Sequence, residues 1–253
     1  MDYSAVLESI QPFIPNSSGD EREKFNLALS GNKNFISNIL SIASVFQYQL
    51  QDVVDIESLR SEDTTELKKL LDSYGSDKAN SHNYEILYAN ILKNRNEIKN
   101  VLEIGMGTNN TNVLSNMGVN GKPGASLRAF RDYLPNANIY GADIDREILF
   151  EEDRIATYFV DQLRPATIYD LYNSLPGDLD LIIDDGLHSP EANINVFTYG
   201  ISKIKVGGWM VIEDIPDQSV ELWKIVSLLI PINYETHLIK ADKGNLFAVN
   251  RLD

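Results

Sequence analysis

The chain has 253 residues, of which 43% are hydrophobic, and its formal net charge is −15. This length allows one large domain, or one domain with a smaller appendage. The acidic balance argues against nucleic acid or an anionic membrane surface as the main partner, because both attract a basic face. Because the chain contains no cysteine, disulfides, thiolate metal sites and a cysteine nucleophile are excluded.

Neither end of the chain suggests a membrane segment. Met1-Asp2-Tyr3-Ser4 lacks the basic and apolar regions of a secretory signal. The apolar run from Ile225 to Ile232 is too short to span a bilayer. We therefore expect a cytoplasmic protein without membrane insertion.

Residues 1–70 are predicted to be helical, because they carry no strand signal. Apolar residues recur at three- and four-residue spacing from Phe35 to Phe46, which is typical of one buried helix face. A second, polar helix is predicted from Ser61 to Asp72. We expect this segment to serve as a cap, a lid or an oligomer contact, and we expect a homo-oligomer.

From residue 71 to residue 253 the pattern changes to alternating strands and helices, which is typical of an α/β domain. Seven strands are predicted, near residues 101–104, 138–142, 157–160, 179–183, 209–212, 234–239 and 246–249. The last two are joined by the tight turn Asp242-Lys243-Gly244 and should be antiparallel. We predict a Rossmann-like, mostly parallel, seven-stranded sheet that ends in an antiparallel hairpin.

The first strand runs into Glu103-Ile104-Gly105-Met106-Gly107. Glycines at this point let the backbone approach a ligand closely, although a tight turn explains them equally well. A third glycine is missing, and the next helix is predicted only after the insertion Thr108 to Gly124. A pyrophosphate would therefore lack a helix N-terminus, which favours a ligand without a diphosphate over NAD.

Acidic residues follow the second and third strands. Asp143 ends the second strand, where an acid commonly accepts hydrogen bonds from ribose hydroxyls; capping of the next turn is the alternative. Asp161 and Gln162 follow the third strand, at a position from which an adenine amino group could be recognised. These residues predict a nucleoside site.

Four carboxylates, Asp184, Asp185, Glu213 and Asp214, follow two further buried strands. Clustered carboxylates raise each other's pKa values unless a cation neutralises them. Oxygen ligands suit Mg²⁺ or Ca²⁺. We expect Asp184 to face solvent and cap a turn, and the other three acids to hold the metal.

His188 lies three residues beyond the first of these acid pairs and directly before a helix cap. Its ordinary pKa suits a general base at neutral pH. His82 precedes a predicted helix and is assigned to a capping segment. His237 lies in a predicted strand and carries no site argument.

Six short motifs occur in an order that resembles the class I S-adenosylmethionine-dependent methyltransferases, and more closely the metal-dependent sugar O-methyltransferases of macrolide and polysaccharide tailoring. They are Ser76-Asp77-Lys78 with His82-x-Tyr84, Glu103-Ile104-Gly105, Gly124-Ala125-Ser126-Leu127-Arg128, Tyr140-Gly141-Ala142-Asp143-Ile144, Asp184-Asp185-Gly186-Leu187-His188, and Gly207-Gly208 with Ile212-Glu213-Asp214. The family usually has serine where Leu187 stands, which changes the pocket wall without removing a ligand.

The resemblance implies a methyltransferase sheet and a role for each motif. Asp77 and Lys78 would lie near the amino acid end of S-adenosylmethionine, and Glu103 and Gly105 would flank its methionine part. Asp143 would bind the ribose, and Asp161 or Gln162 the adenine. Ser126, Ile144 and Asp184 complete the implied cofactor set. Asp185, Glu213 and Asp214 would hold Mg²⁺, and His188, with Asp185 beside it, would act as the general base.

The implied reaction is methylation of a sugar hydroxyl in a glycoside, a nucleotide sugar or a capsule precursor. A phosphate or phosphoramidate oxygen of a capsule precursor is an alternative acceptor. A nicotinamide oxidoreductase on a similar sheet and a binding module without activity also stay open. The expected partner is a small molecule or a glycan precursor, and no nucleic acid is expected.

Overall fold

The computed structural model describes Arg22, Asn26 and residues 36–253. These residues divide into two compact units. One comprises Gln51–Val220 and Ile230–Asp253, and the other contains Glu221–Leu229 and the described residues up to Leu50. The division falls after residue 50.

In the smaller unit, residues 36–45 form a helix, as the apolar spacing predicted. Ala43 is buried, whereas Phe46, just past the helix, is 71% exposed. Phe35, the first residue of the predicted apolar face, lies outside the described residues. Among the residues that the structure describes, no helix has the length and apolar character needed to cross a membrane.

The larger unit is built on a nine-stranded sheet. Its strands are β1 (Val53–Asp55), β2 (Asn100–Ile104), β3 (Asn138–Asp143), β4 (Glu151–Glu152), β5 (Ile155–Phe159), β6 (Leu179–Asp184), β7 (Ile204–Ile215), β8 (Tyr234–Lys240) and β9 (Asn245–Arg251). Their order is β1-β8-β9-β7-β6-β2-β3-β5-β4. All seven predicted strands are present. β9 is antiparallel to β8, as predicted for the hairpin that ends the sheet, and also to β7. The predicted mostly parallel sheet is confirmed.

Two edge strands were not predicted. The prediction that the first 70 residues contain no strand is wrong at β1, which pairs in parallel with β8. This strand is only three residues long, too short for its two valines to produce a period-two pattern. The two-residue strand β4 pairs antiparallel with β5 at the other edge.

Seven α-helices lie within residues 65–229. They are α1 (Thr65–Tyr74), α2 (Asp77–Asn80), α3 (Glu85–Ile91), α4 (Ala125–Tyr133), α5 (Pro165–Ser174), α6 (Pro190–Gly200) and α7 (Val220–Leu229). Ser189 caps α6 by accepting a hydrogen bond from the Ala192 amide, and Pro190 is its first residue, as predicted.

The buried face of α6 is not purely apolar. Ile194 and Phe197 are only partly buried, and the buried face includes Asn193 and Gly200. Asn193 donates a hydrogen bond to the buried Asp184 carboxylate. A Cβ at Gly200 would lie 2.4 Å from the Tyr172 hydroxyl oxygen. The hydrogen bond from Asn193 to Asp184 and the close packing of Gly200 against Tyr172 therefore determine which face of α6 packs inward.

The sheet order places three acid-bearing strands side by side. β6 lies between β2 and β7 and runs parallel to both. The chain continues from β2 to β3 on one side and from β6 to β7 on the other, so the crevice beyond the carboxyl ends of β2 and β6 is a topological switch point. Ligands bind at such points in open α/β sheets.

Candidate active site

Two adjoining cavities open at the carboxyl ends of the strands. The first, of about 470 Å³, lies among the glycine loop after β2, residues 75–84 and the acids of β6 and β7. The second, of about 400 Å³, lies beyond the ends of β2, β3, β5 and β6. Gly105, Gly107, Ser115 and Asp185 line both cavities, so they meet at these residues. Both volumes fit small-molecule ligands.

The predicted site residues divide between the two cavities. The first is lined by Asp77, Lys78, Ser126, Asp185, His188, Glu213 and Asp214, and the second by Asp143, Ile144, Asp161 and Gln162. The insertion of residues 108–124 contributes to both walls, and α4 begins only at Ala125. Glu103 and Asp184 line neither cavity.

Gly105 is where the backbones after β2 and β6 approach most closely. Its φ is +84°, and a Cβ at this position would lie 2.1 Å from the Asp185 carbonyl oxygen. The Asp185 amide donates to the Ile104 carbonyl at 2.8 Å, which continues the pairing of β2 with β6. Only glycine fits this geometry, so the glycine sets the position of Asp185.

Asp143 lies at the end of β3 and is 6% exposed. Its two oxygens accept hydrogen bonds from the amides of Met106 and Asp145, at 3.1 and 3.0 Å. Burial raises the pKa of Asp143, and these amides oppose the shift. Each carboxylate oxygen can accept a second hydrogen bond, so Asp143 can tie the glycine loop to β3 and still accept from a ligand.

Gln162 holds the loop after β6 in place with its side-chain amide. Its amide oxygen accepts from the Leu187 amide at 2.8 Å, and its amide nitrogen donates to Asp184 at 2.6 Å. One carboxylate oxygen of Asp161 accepts a hydrogen bond from the Leu163 amide at 3.0 Å. Asp161 and Gln162 both line the second cavity. Of the two residues predicted to recognise adenine, Gln162 already uses both ends of its amide within the protein.

The prediction that Asp184 faces solvent is wrong. Its side chain is fully buried, and its oxygens accept hydrogen bonds from the amide groups of Gln162 and Asn193. Burial raises the pKa of Asp184 to about 6. Asp184 points away from the cavities because side chains alternate along a strand, and Asp185 takes the opposite side.

Lys78 contacts three carboxylates at the centre of the site. Its Nζ lies 2.6 Å from Asp185 Oδ2, 2.5 Å from Glu213 Oε2 and 3.1 Å from Glu103 Oε1. Burial alone would lower the pKa of Lys78, but the three acids raise it well above its usual value. The ammonium is therefore charged, and the predicted convergence of Asp185 and Glu213 is present.

Both oxygens of Glu213 have partners inside the protein. One contacts Lys78, and the other accepts a hydrogen bond from the Tyr88 hydroxyl. Burial raises the pKa of Glu213 well above its usual value, and Lys78 opposes the shift. Glu103 is likewise held, since Ser126 donates to its second oxygen at 2.6 Å.

Asp214 faces the first cavity from a bulged part of β7, with φ +53°. Its Oδ1 accepts from the Tyr84 hydroxyl at 2.5 Å and lies 3.2 Å from His82 Nδ1. Burial raises the pKa of Asp214, but the hydrogen bonds from His82 and Tyr84 outweigh it and hold the pKa below its usual value. Asp214 is therefore ionised at neutral pH.

His188 stands across from Asp214, also with positive φ, +55°. Its Nε2 lies 3.7 Å from Asp214 Oδ2 and 3.9 Å from Asp185 Oδ1. Its Nδ1 is buried and has no hydrogen-bond partner among the described residues. One ligand atom from each of Asp185, His188 and Asp214 lies within 4.8 Å of the others, a spacing that could hold a metal ion.

These side chains fit a hard divalent cation. Asp185 and Asp214 offer carboxylate oxygens to the first cavity, and such oxygens are the donor type that Mg²⁺ prefers. Glu213 falls outside the group of mutually close ligand atoms because its carboxylate is directed at Lys78 and Tyr88.

Three residues of the site were not identified from the sequence: His82, Tyr84 and Tyr88 all contact its acids. His82 was assigned to a capping segment, and the pKa of His82 is raised by its hydrogen bond to Asp214. Tyr84 and Tyr88 are one helical turn apart at the start and in the middle of α3, and both hydroxyls face β7. That i, i+4 spacing of tyrosines was the available signal.

The strand order, the glycine turn after β2 and the acids at the ends of β3, β6 and β7 define the class I S-adenosylmethionine-dependent methyltransferase fold. The crystal structure of the MycE methyltransferase from the mycinamycin biosynthetic pathway, in complex with Mg and SAH, matches 76% of this chain and 56% of that chain, with a TM-score of 0.61 and 23% identity. The predicted fold is confirmed by this likeness.

Curated relatives are sugar-tailoring enzymes. The chain is 31% identical over 143 residues to the 8-demethyl-8-alpha-L-rhamnosyl tetracenomycin-C 2'-O-methyltransferase of Streptomyces olivaceus, a match that covers 56% of this chain and 35% of that enzyme. It is 35% identical over 121 residues to the demethylmacrocin O-methyltransferase of Streptomyces fradiae, covering 48% and 28%. The chain therefore spans about a third of the length of these relatives. No family model matches it.

These findings confirm the predicted resemblance to sugar O-methyltransferases, and the relatives found belong to macrolide and tetracenomycin pathways.

Proposed function

We propose that this protein is an S-adenosylmethionine-dependent O-methyltransferase that uses a hard divalent cation, such as Mg²⁺, and acts on a sugar hydroxyl. The acceptor would be a glycoside, a nucleotide sugar or a surface-polysaccharide precursor. The observation that carries the proposal is the grouping of Asp185, His188 and Asp214 in the first cavity, with Asp185 at its junction with the second. The names of the relatives support it, since each describes methylation of a sugar-bearing molecule or a macrolide precursor.

The second cavity is the proposed nucleoside site. Asp143 would accept from the ribose hydroxyls, with Ile144 and Asp161 along the same wall. The methionine part would extend past Gly105, the residue shared with the first cavity, toward Ser126 and Asp77. Gly105 permits this because its backbone carries no side chain to fill the junction.

The first cavity is the proposed acceptor and metal site. S-adenosylmethionine would supply the methyl group, and the cation would supply positive charge beside the acceptor oxygens. Asp185 and Asp214 would hold that cation, and Glu213 would stay paired with Lys78. His188 would take the hydroxyl proton while the carbon–sulfur bond breaks and the carbon–oxygen bond forms, which leaves a methyl ether and S-adenosylhomocysteine.

Calorimetry with two nucleotides tests the cofactor. S-adenosylhomocysteine should bind with micromolar or tighter affinity, and NADH should not bind. The reverse result would identify a nicotinamide site and reject the proposal.

Methyl transfer is tested with deuterated-methyl S-adenosylmethionine and a panel of acceptors that includes methyl α-L-rhamnopyranoside and nucleotide sugars. Mass spectrometry should show a labelled methyl ether with Mg²⁺ present. Asp185→Asn should abolish the product without changing S-adenosylhomocysteine affinity, whereas the exposed Asp170→Asn should have no effect. Undiminished turnover in excess EDTA would reject the role of the metal.

A further inference from the structure

The ammonium of Lys78 is surrounded by three carboxylates and donates hydrogen bonds to two of them, Asp185 and Glu213. An ammonium has three N–H groups, and three carboxylate oxygens lie within 3.1 Å of Nζ. The side chain is 2% exposed. A cofactor carboxylate near Lys78 would compete with these acids for its positive charge.

We propose that Lys78 is the internal counter-ion of the candidate metal centre. It would hold Glu103, Asp185 and Glu213 together when no divalent cation is bound, and share Asp185 with the cation when one binds. This inference rests on the metal centre of the proposed function. It assigns Lys78 a positioning role that differs from the cofactor contact implied by the resemblance.

The charge of the site supports this role. With all four acids ionised, Glu103, Asp185, Glu213 and Asp214 contribute four negative charges against one positive charge from Lys78, a total of −3. Glu103 and Glu213 are 0% and 1% exposed, so water does not screen their repulsion. Breaking a buried ion pair by removing one partner leaves an uncompensated charge and is strongly destabilising.

The local backbone holds Lys78 in place. Ser76 caps the short helix α2 by accepting from the Lys78 amide at 3.4 Å, and the Lys78 carbonyl accepts from the Tyr84 amide at 2.8 Å. Tyr88 holds the other oxygen of Glu213. The ammonium is therefore fixed by the same segment, residues 76–88, that supplies the tyrosine partners of Glu213 and Asp214.

Lys78→Met tests the role with the metal alone. In EDTA the variant should melt roughly 10 °C below the native protein, because the acids lose their counter-ion. Saturating Mn²⁺ should restore most of this loss, and Mn²⁺ titration followed by electron paramagnetic resonance should show affinity about tenfold tighter than native, since a competing positive charge is gone.

Two further variants control for charge and for general disruption. Lys78→Met with Glu103→Gln restores the native total of −3, so its Mn²⁺ affinity should return to within about threefold of native. Lys205→Met breaks a different ion pair, between the partly exposed Lys205 and the buried Asp180 at the start of β6. It should lower the melting temperature equally in EDTA and in Mn²⁺.

Unchanged or weaker Mn²⁺ binding by folded Lys78→Met would overturn the inference. Should that variant fail to fold even with Mn²⁺, the double variant decides: native-like affinity supports the charge argument, and a loss of about tenfold or more rejects it. The native protein's affinity for S-adenosylhomocysteine and its methyl transfer are measured separately, so failure of the proposed function is recognised independently.

Discussion

The hydroxyl of Tyr84 lies 2.5 Å from Oδ1 of Asp214 and donates a hydrogen bond to it. The same oxygen lies 3.2 Å from His82 Nδ1. The other oxygen of Asp214 faces His188 and the first cavity. Residues of one short segment thus fix one side of this carboxylate and leave the other side for a ligand.

We expect Tyr84→Phe to weaken Mn²⁺ binding by about 10–100-fold, because a partner that orients a metal ligand contributes on this scale. The hydrogen bond accounts for the loss, since bonds to charged groups contribute roughly 1.5–3 kcal/mol. Mn²⁺ titration measures the effect. Tyr169→Phe, which alters an exposed tyrosine on α5, serves as the control and should match the native protein. Native-like Mn²⁺ affinity in Tyr84→Phe would show that Asp214 binds the cation equally well without the hydrogen bond from Tyr84.

Much of the site could be predicted because strand ends are visible in the sequence. The apolar run 179–183 followed by Asp184 and Asp185 predicted a buried strand that ends in acids, and β6 is buried along its whole length. The glycines after the first strand predicted the close approach that Gly105 makes to β6. Since parallel strands end at one edge, these local patterns were sufficient to bring the acids together.

Partners across the fold could not be predicted in the same way. Lys78 and Glu213 are 135 residues apart in the chain, and no local spacing indicates their contact. The choice between Asp184 and Asp185 depended on Gln162 and Asn193, which hold the buried carboxylate from two other segments. Tertiary partners of buried charges determine such details, and periodicity carries no information about them.

Gly105→Ala should unfold or strongly destabilise the protein. An added Cβ would lie 2.1 Å from the Asp185 carbonyl oxygen, and alanine disfavours φ near +84°. We expect a loss of about 4 kcal/mol or more in the free energy of unfolding, measured with urea. Gly177→Ala is the matched control, because a Cβ there meets no atom within 4 Å. A loss under about 1 kcal/mol for Gly105→Ala would contradict the close approach of β2 and β6.

Glu85→Gln should stabilise the protein at neutral pH. Glu85 is 3% exposed, and its Oε2 has no hydrogen-bond partner among the described residues. Burial raises the pKa of Glu85 above its unfolded value. At a pH between the unfolded and the folded pKa, only the folded protein binds this proton, and that stability is lost as the pH rises through the folded pKa.

The gain from Glu85→Gln should therefore be largest at pH 7 to 8, at roughly 1 kcal/mol, and should shrink toward pH 5. Urea unfolding at several pH values measures it. Glu97→Gln alters an exposed glutamate and should show no such trend. A gain that is independent of pH would show that the charge of Glu85 is not its cause.

His188→Ala separates a general base from a metal ligand. Nε2 of His188 lies 3.7 Å from Asp214 Oδ2 and belongs to the group of ligand atoms that could hold a metal, so both roles fit the geometry. As a base, His188 should contribute about 10²–10⁴ to kcat and little to Mn²⁺ affinity. As a ligand, its loss should weaken Mn²⁺ binding by at least as much as Tyr84→Phe does.

We expect the first outcome, with S-adenosylhomocysteine affinity unchanged, because Asp185 and Asp214 already supply the hard oxygen donors that Mg²⁺ prefers. His188→Gln is the companion variant. It retains polar atoms at the same place but cannot accept the proton at neutral pH, so its kcat should fall as far as that of His188→Ala. If His188→Gln restores turnover while His188→Ala loses Mn²⁺, the imidazole binds the cation and the proton leaves by another route.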